Sequence, residues 1–164
     1  AKNDLKITFV DVEGGQATLL VTPSGQSLLI DAGWPTSSGR DSDRIIAAAK
    51  KLGLNKIDYL LVTHYHLDHV GGVPELAAKF PIGTLIDHGA NTETNRGAKE
   101  LEAGFQKVLA SGAKRLTVKP GDTLPFKDIH VEVITARGTV RTDVKMGAGY
   151  AFDVLVEDAS LSRK

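Results

Sequence analysis

The chain has 164 residues, of which 41% are hydrophobic and 24% charged, the balance of a single globular domain and not of a disordered or fibrous chain. Lys plus Arg and Asp plus Glu number 20 each, so no basic field is left over to hold nucleic acid by charge alone. The absence of cysteine excludes disulfide scaffolds, thiolate zinc sites and cysteine nucleophiles, and no run approaches the roughly 18 apolar residues of a membrane span. Ala1 opens the chain with no apolar leader, which fits an exported, processed protein and a cytoplasmic one equally.

Strands come first. Residues 5–10 are apolar-rich, and residues 17–21 and 27–30 flank Thr22-Pro23-Ser24-Gly25-Gln26, a hairpin signal in which Pro presets one turn angle and Gly supplies the other. The third strand ends in Asp31-Ala32-Gly33, a carboxylate followed by a flexible residue. Asp41 or Ser42 is placed to cap a helix running to Leu52, with Ile45, Ile46 and Ala49 on one face and Gly53 as its stop. Residues 57–63 form a short, nearly continuous apolar run, as a buried strand does, and lead directly into His64. Pro74 suits the first turn of a helix over 74–80. A buried strand over 84–86 then ends in Asp87 and His88, and the spacing of Ala98, Leu101, Phe105, Val108 and Leu109 predicts a helix over about 95–110. Further strands are predicted at 115–118, at 129–135 after a turn at 120–122, and at 150–156, with a loop over 136–149. Strand meander followed by strand–helix units predicts a layered α/β domain spanning 1–164, sheet inside and helices outside.

Three of the five histidines fall within His64-Tyr65-His66-Leu67-Asp68-His69, where the buried strand 57–63 ends. The C-terminal edge of such strands is where open α/β sheets place their sites. The strand end fixes His64, and the turn after it lets His66, Asp68 and His69 converge on a common point. Imidazole nitrogens with a carboxylate oxygen suit zinc or a similar first-row metal. Gly71-Gly72 follows and removes side-chain bulk beside the loop.

This His-x-His-x-Asp-His order is similar to the signature of the metallo-β-lactamase superfamily of metallohydrolases. Residues 28–33, Leu-Leu-Ile-Asp-Ala-Gly, resemble that family's earlier strand and Asp-x-Gly element, whose aspartate, Asp31 here, supports the metal loop from behind. Residues 9–17 resemble the opening of the branch that includes the hydrolase-like domain of competence DNA-uptake proteins, with Gln16 in place of that branch's second aspartate. The resemblance implies a four-layer αβ/βα sandwich with a dinuclear metal site at one edge. His64 and His66 would bind one metal, Asp68 and His69 the other, zinc in the first instance, with manganese or iron as alternatives. A metal-bound hydroxide would then attack a phosphoester or an acyl or lactam bond of a small substrate, with Asp68 also acting as catalytic residue by orienting that nucleophile or taking its proton.

The family's second half usually supplies a further histidine, a bridging aspartate in a Gly-Asp element and a final histidine, and this sequence shows none of these elements. After His69 only His88 and His130 remain. His130 opens an alternating strand and is expected to face solvent, while His88 is expected at the pocket or just behind it, and Trp34 is a candidate pocket wall. The chain therefore reads as the N-terminal part of the sandwich. It implies a bare sheet face that a second copy or a complementing chain would cover, and leaves a catalytically incomplete metal-binding or interaction domain as the alternative function.

Overall fold

A computed structural model describes residues 4–36, 38–92 and 94–141, and the backbone of 151–155. Six strands form one sheet: β1 (Lys6–Phe9), β2 (Thr18–Val21), β3 (Ser27–Ile30), β4 (Ile57–Leu61), β5 (Ile82–Asp87) and β6 (Lys114–Thr117), in that spatial order. The β1/β2 and β2/β3 pairs are antiparallel, and β3 to β6 run parallel. The hairpin at 22–26 closes as expected: Thr22 N–H donates to Gln26 O (2.8 Å), and Gly25 takes the positive φ of 86° that the turn demands.

Side chains alternate across the sheet, which is the strand period at work. Leu19, Leu29, Leu60, Val62 and Leu85 face the helices α1 (Arg40–Lys51), α3 (Val73–Lys79) and α4 (Arg96–Ala110), meeting Ile45, Leu76 and Phe105. Leu20, Leu28, Leu61 and Ile86 point the other way. There they meet Leu124, Val131 and Val133, the last two from β7 (His130–Ala136), which forms a second sheet with β8 (Thr139–Val140) and β9 (Ala151–Leu155). The described residues thus build a helix layer, a six-stranded sheet and a three-stranded sheet, three layers of the four that the resemblance implied.

Three expectations change. The far sheet face is not bare: the alternating Val131 and Val133 of β7 cover its centre, and the exposed apolar remnant is at the β1 edge, where Phe9 is 80% exposed. The loop expected at 136–149 begins instead with a hairpin, since Ala136 ends β7 and pairs with Thr139 of β8; residues 142–149 lie outside the described set. Asp41 and Ser42 do not cap α1. Gly39, at φ 72°, precedes its first residue, and both side chains are buried inside the first turn. Ser42 Oγ donates back to Gly39 O (2.9 Å), and Asp41 serves the neighbouring loop instead.

Because β3, β4 and β5 are parallel, their C-terminal ends share one edge, and Asp31, His64 and Asp87 all emerge there. That edge carries the site.

Candidate metal centre

The loop after β4 makes one short helical turn, α2 (Leu67–Val70), inside the histidine motif. His66 stays extended at its start, and His69 and Val70 donate their N–H groups to His66 O. Two other loops hold this turn in place. Asp68 O accepts from Gln16 N–H (3.1 Å), His69 O from Ala32 N–H (2.8 Å), and Gly33 O from Gly72 N–H (3.0 Å). Glycine is required where these backbones touch: a Cβ on Gly72 would lie 2.1 Å from Ala32 O, one on Gly71 2.3 Å from Leu67 O, and one on Gly15 2.6 Å from Asp68 O. The sequence marked Gly71-Gly72 as room beside the loop. The need is sharper, because those glycines are the contact itself.

Asp31 is fully buried, in a left-handed conformation (φ 58°) that aspartate tolerates better than most residues. Its Oδ1 accepts from Thr63 N–H (2.8 Å). Its Oδ2 accepts from the Thr63 hydroxyl (2.7 Å) and from His69 Nδ1 (2.7 Å). An ionised carboxylate only accepts, so the neutral His69 ring carries its proton on Nδ1 and keeps its lone pair on Nε2. The Thr63 proton is spent on Asp31, so the Thr63 oxygen accepts from His64 Nδ1 (3.0 Å), and His64 Nε2 is likewise bare. One buried carboxylate, directly and through one hydroxyl, thereby sets the tautomer of two histidines. Nothing at the level of sequence marked Thr63.

The three imidazoles crowd together: ring centroids are 4.0 Å apart for His64 and His69, and 4.5 Å for His64 and His66. Burial, reinforced by the positive charge His69 and His66 would carry, pushes His64 down to about 4, so it is neutral at physiological pH and able to ligate. Burial also opposes protonation of His69, but the hydrogen bond and charge of Asp31, with Asp68 behind them, outweigh it and raise its affinity for a proton. Asp68 Oδ2 lies 3.5 Å from His69 Nε2.

The donor types fit a first-row metal, and two imidazoles have a bare Nε2 held by partners on the ring's other side, the usual support of metal-binding histidine. The donor atoms are not drawn to one point. Among the described residues no three His, Asp or Glu side chains form a ready-made metal site.

The other expected residues fall around this cluster. Trp34 is half-buried, its backbone N–H donating to Asp41 Oδ2 (2.9 Å) and its indole against Gly15, so it stands in the wall of the supporting loops. His88 is buried, its ring edge-to-face with Tyr65 (centroids 5.6 Å apart), and sits behind the loop. His130 is exposed, as expected, with Nε2 3.6 Å from Glu132. Sequence reading missed Asp87, a fully buried carboxylate that takes Arg115 Nε (2.8 Å), the Thr117 hydroxyl (3.1 Å) and Gly89 N–H (2.8 Å). It fixes the loop whose Gly89 O accepts the Tyr65 hydroxyl (2.9 Å). Burial, with the Asp87 charge beside it, holds that phenol well above its usual range.

The chain belongs to the metallo-beta-lactamase superfamily, whose family model matches residues 10–152. Among solved structures, BJP-1, a subclass B3 metallo-beta-lactamase of Bradyrhizobium japonicum, shares the fold: the TM-score is 0.51 at 24% identity, covering 79% of this chain and 48% of that one. A hydroxyacylglutathione hydrolase of Rhodopseudomonas palustris (strain BisB5) is 32% identical over 109 residues, 66% of this chain and 42% of its own length. The corresponding hydrolase of strain HaA2 is 38% identical over 80 residues, 49% of this chain and 31% of its own. The chain thus spans less than half the length of these curated relatives. Among the described residues no helix is long and apolar enough to cross a membrane.

Proposed function

We propose that this chain carries the metal-binding part of a hydrolase, with His64, His66, Asp68 and His69 as ligands and Asp31 and Thr63 orienting two of them. The observation that carries this reading is the Asp31 carboxylate, which bonds His69 directly and His64 through the Thr63 hydroxyl and leaves the Nε2 of both bare. A metal held there, zinc in the first instance with manganese or iron as alternatives, would supply Lewis acidity and lower the pKa of water toward neutrality. Asp68, partly exposed beside His69 Nε2, is the carboxylate of the cluster placed to take a proton on Oδ2. The bond cleaved is an acyl ester or thioester, lactam or phosphoester. The names of the hydroxyacylglutathione hydrolases among the relatives favour the acyl class.

A second reading, a binding domain without turnover, draws on the donors' not being gathered to one point among the described residues. Native mass spectrometry with zinc separates the two, coupled to turnover of p-nitrophenyl acetate, a hydroxyacyl thioester of glutathione, nitrocefin and bis-p-nitrophenyl phosphate. The hydrolase reading expects bound zinc, and at least about a hundredfold loss of turnover in Asp68→Ala. Bound zinc with no turnover across the panel supports the binding domain. Equal zinc retention by the wild type, His66→Ala and Asp68→Ala overturns the ligand assignment.

A further inference from the structure

Beside the histidine loop lies a cleft of about 460 Å³, walled on one side by Tyr65, His66 and Leu67 and on the other by Gly97, Ala98 and Leu101 of α4. The volume is that of a small-molecule site. His66 belongs to both the cleft and the histidine cluster, so the two adjoin there.

Three features give the cleft its character. Leu67 lies inside the metal motif and is nonetheless 44% exposed, presenting an aliphatic side chain next to His66 and Asp68. Gly97 occupies the second position of α4, where glycine costs a helix stability relative to alanine. Neither backbone nor packing demands it: its φ is not positive, and a Cβ there would meet nothing nearer than Asn95 Oδ1, at 3.4 Å. Its missing side chain leaves the cleft open. Lastly, none of the described lining residues is Lys or Arg, and the charge of Glu100, which lines the cleft, is paired with Arg96 Nε (2.8 Å), so the walls are mainly apolar.

We propose that this cleft is an acyl-chain subsite, taking the uncharged, apolar arm of an ester or thioester whose carbonyl lies at the histidine cluster. The proposal rests on the hydrolase reading and narrows it to acyl substrates with a short aliphatic chain. Leu67 and Leu101 would set the preference for chain length, and Gly97 would admit the chain.

Two measurements on the zinc-loaded chain test it. The first is kcat/KM for p-nitrophenyl acetate, butyrate and hexanoate. Each buried methylene is expected to raise it about threefold, so hexanoate, longer than acetate by four, should exceed it by about tenfold if two enter the cleft and about eightyfold if all do. The second is binding of 1-hexanol, which cannot be hydrolysed, followed by methyl NMR; the Leu67, Ala98 and Leu101 methyls should shift and saturate. Gly97→Phe fills the cleft from an exposed helix position, and Leu67→Asn makes the opposite wall polar at a half-exposed site. Each should bring the hexanoate-to-acetate ratio toward one and abolish the hexanol shifts, with circular dichroism reporting whether the variant is folded. A flat ester series with acetate still hydrolysed, or hexanol shifts confined to other methyls, overturns the subsite and leaves the hydrolase reading standing. Saturable hexanol binding in the cleft, lost in both variants, with no ester or thioester turned over, upholds the cleft as an apolar-chain site and defeats the acyl-hydrolase reading.

Discussion

Replacing Asp31 by asparagine tests the tautomer argument, because it keeps size and shape while removing the charge and turning one accepting oxygen into a donating NH2. The Thr63 N–H, 2.8 Å from Asp31 Oδ1, can only donate, so the amide oxygen of asparagine should stay there. Its NH2 then replaces Oδ2 and faces the Thr63 hydroxyl and His69 Nδ1, both at 2.7 Å. Two charge-assisted bonds are lost or reversed inside a fully buried pocket, a loss of about 2–4 kcal/mol. His69 Nδ1 must now accept, which moves its proton to Nε2, the nitrogen that the proposed site offers to a metal. The freed Thr63 hydroxyl can turn to His64 Nδ1, 3.0 Å away, and move that proton as well. Zinc affinity should therefore fall about 10–100-fold, as it does when outer partners of metal-bound histidines are removed. Nitrogen-15 NMR of the imidazoles reads the tautomers, isothermal titration with zinc reads the affinity, and urea unfolding reads the stability. Asp31→Asn with the His69 proton still on Nδ1 and undiminished zinc affinity would refute the reasoning, whatever the change in stability.

Gly72→Ala should destabilise by about 1–3 kcal/mol or prevent folding, since its Cβ would sit 2.1 Å from the backbone oxygen of Ala32; urea midpoints against wild type check this. Gly97→Ala should do the reverse and stabilise by up to about 1 kcal/mol, because the site is helical and has room. Phe105→Ala, at a fully buried position under α4, should cost about 3–5 kcal/mol without altering the tautomers of His64 and His69. Asp58 is partly buried, which opposes its charge. Its hydrogen bonds from Lys56 and from the Ser27 backbone and hydroxyl outweigh that, and hold its pKa below the usual carboxylate value. The folded-state pKa is depressed, so its contribution is present above the unfolded value near 4 and lost as pH falls through the folded one. The stability gap between wild type and Asp58→Asn should accordingly be constant from pH 7 to 5 and close below about pH 4, in urea midpoints at each pH.

Local signals were enough for the frame. Two-residue alternation and bounded apolar runs identified strands near β1 to β5, helical spacing identified α4, and the cluster from His64 to His69 lay at a strand end where a site belongs. Asp31 was marked as well, because the strand ending in Asp31-Ala32-Gly33 resembles the family's Asp-x-Gly element. These features depend on residues near one another in the chain, so they can be read without a fold.

What tertiary structure decided depends on partners far apart in sequence. Thr63 and Asp31 are 32 residues apart and His69 and Asp31 are 38, and only the parallel pairing of β3 with β4 brings them together. Asp41 reads as a helix cap until the loop bearing Trp34 closes over it, and Asp87 reads as a strand end until Arg115 arrives from β6, 28 residues on. The far face of the sheet looked uncovered because a period-two strand does not say which sheet it will lie against; packing placed Val131 and Val133 there. The cleft has no sequence signature, since its walls come from two elements and its opening from a glycine that no local rule requires. The sequence by itself determined which side chains could bind a metal. The folded chain determined which nitrogen each of two histidines offers, because a proton's position is set by the partner across the hydrogen bond and that partner is a tertiary neighbour.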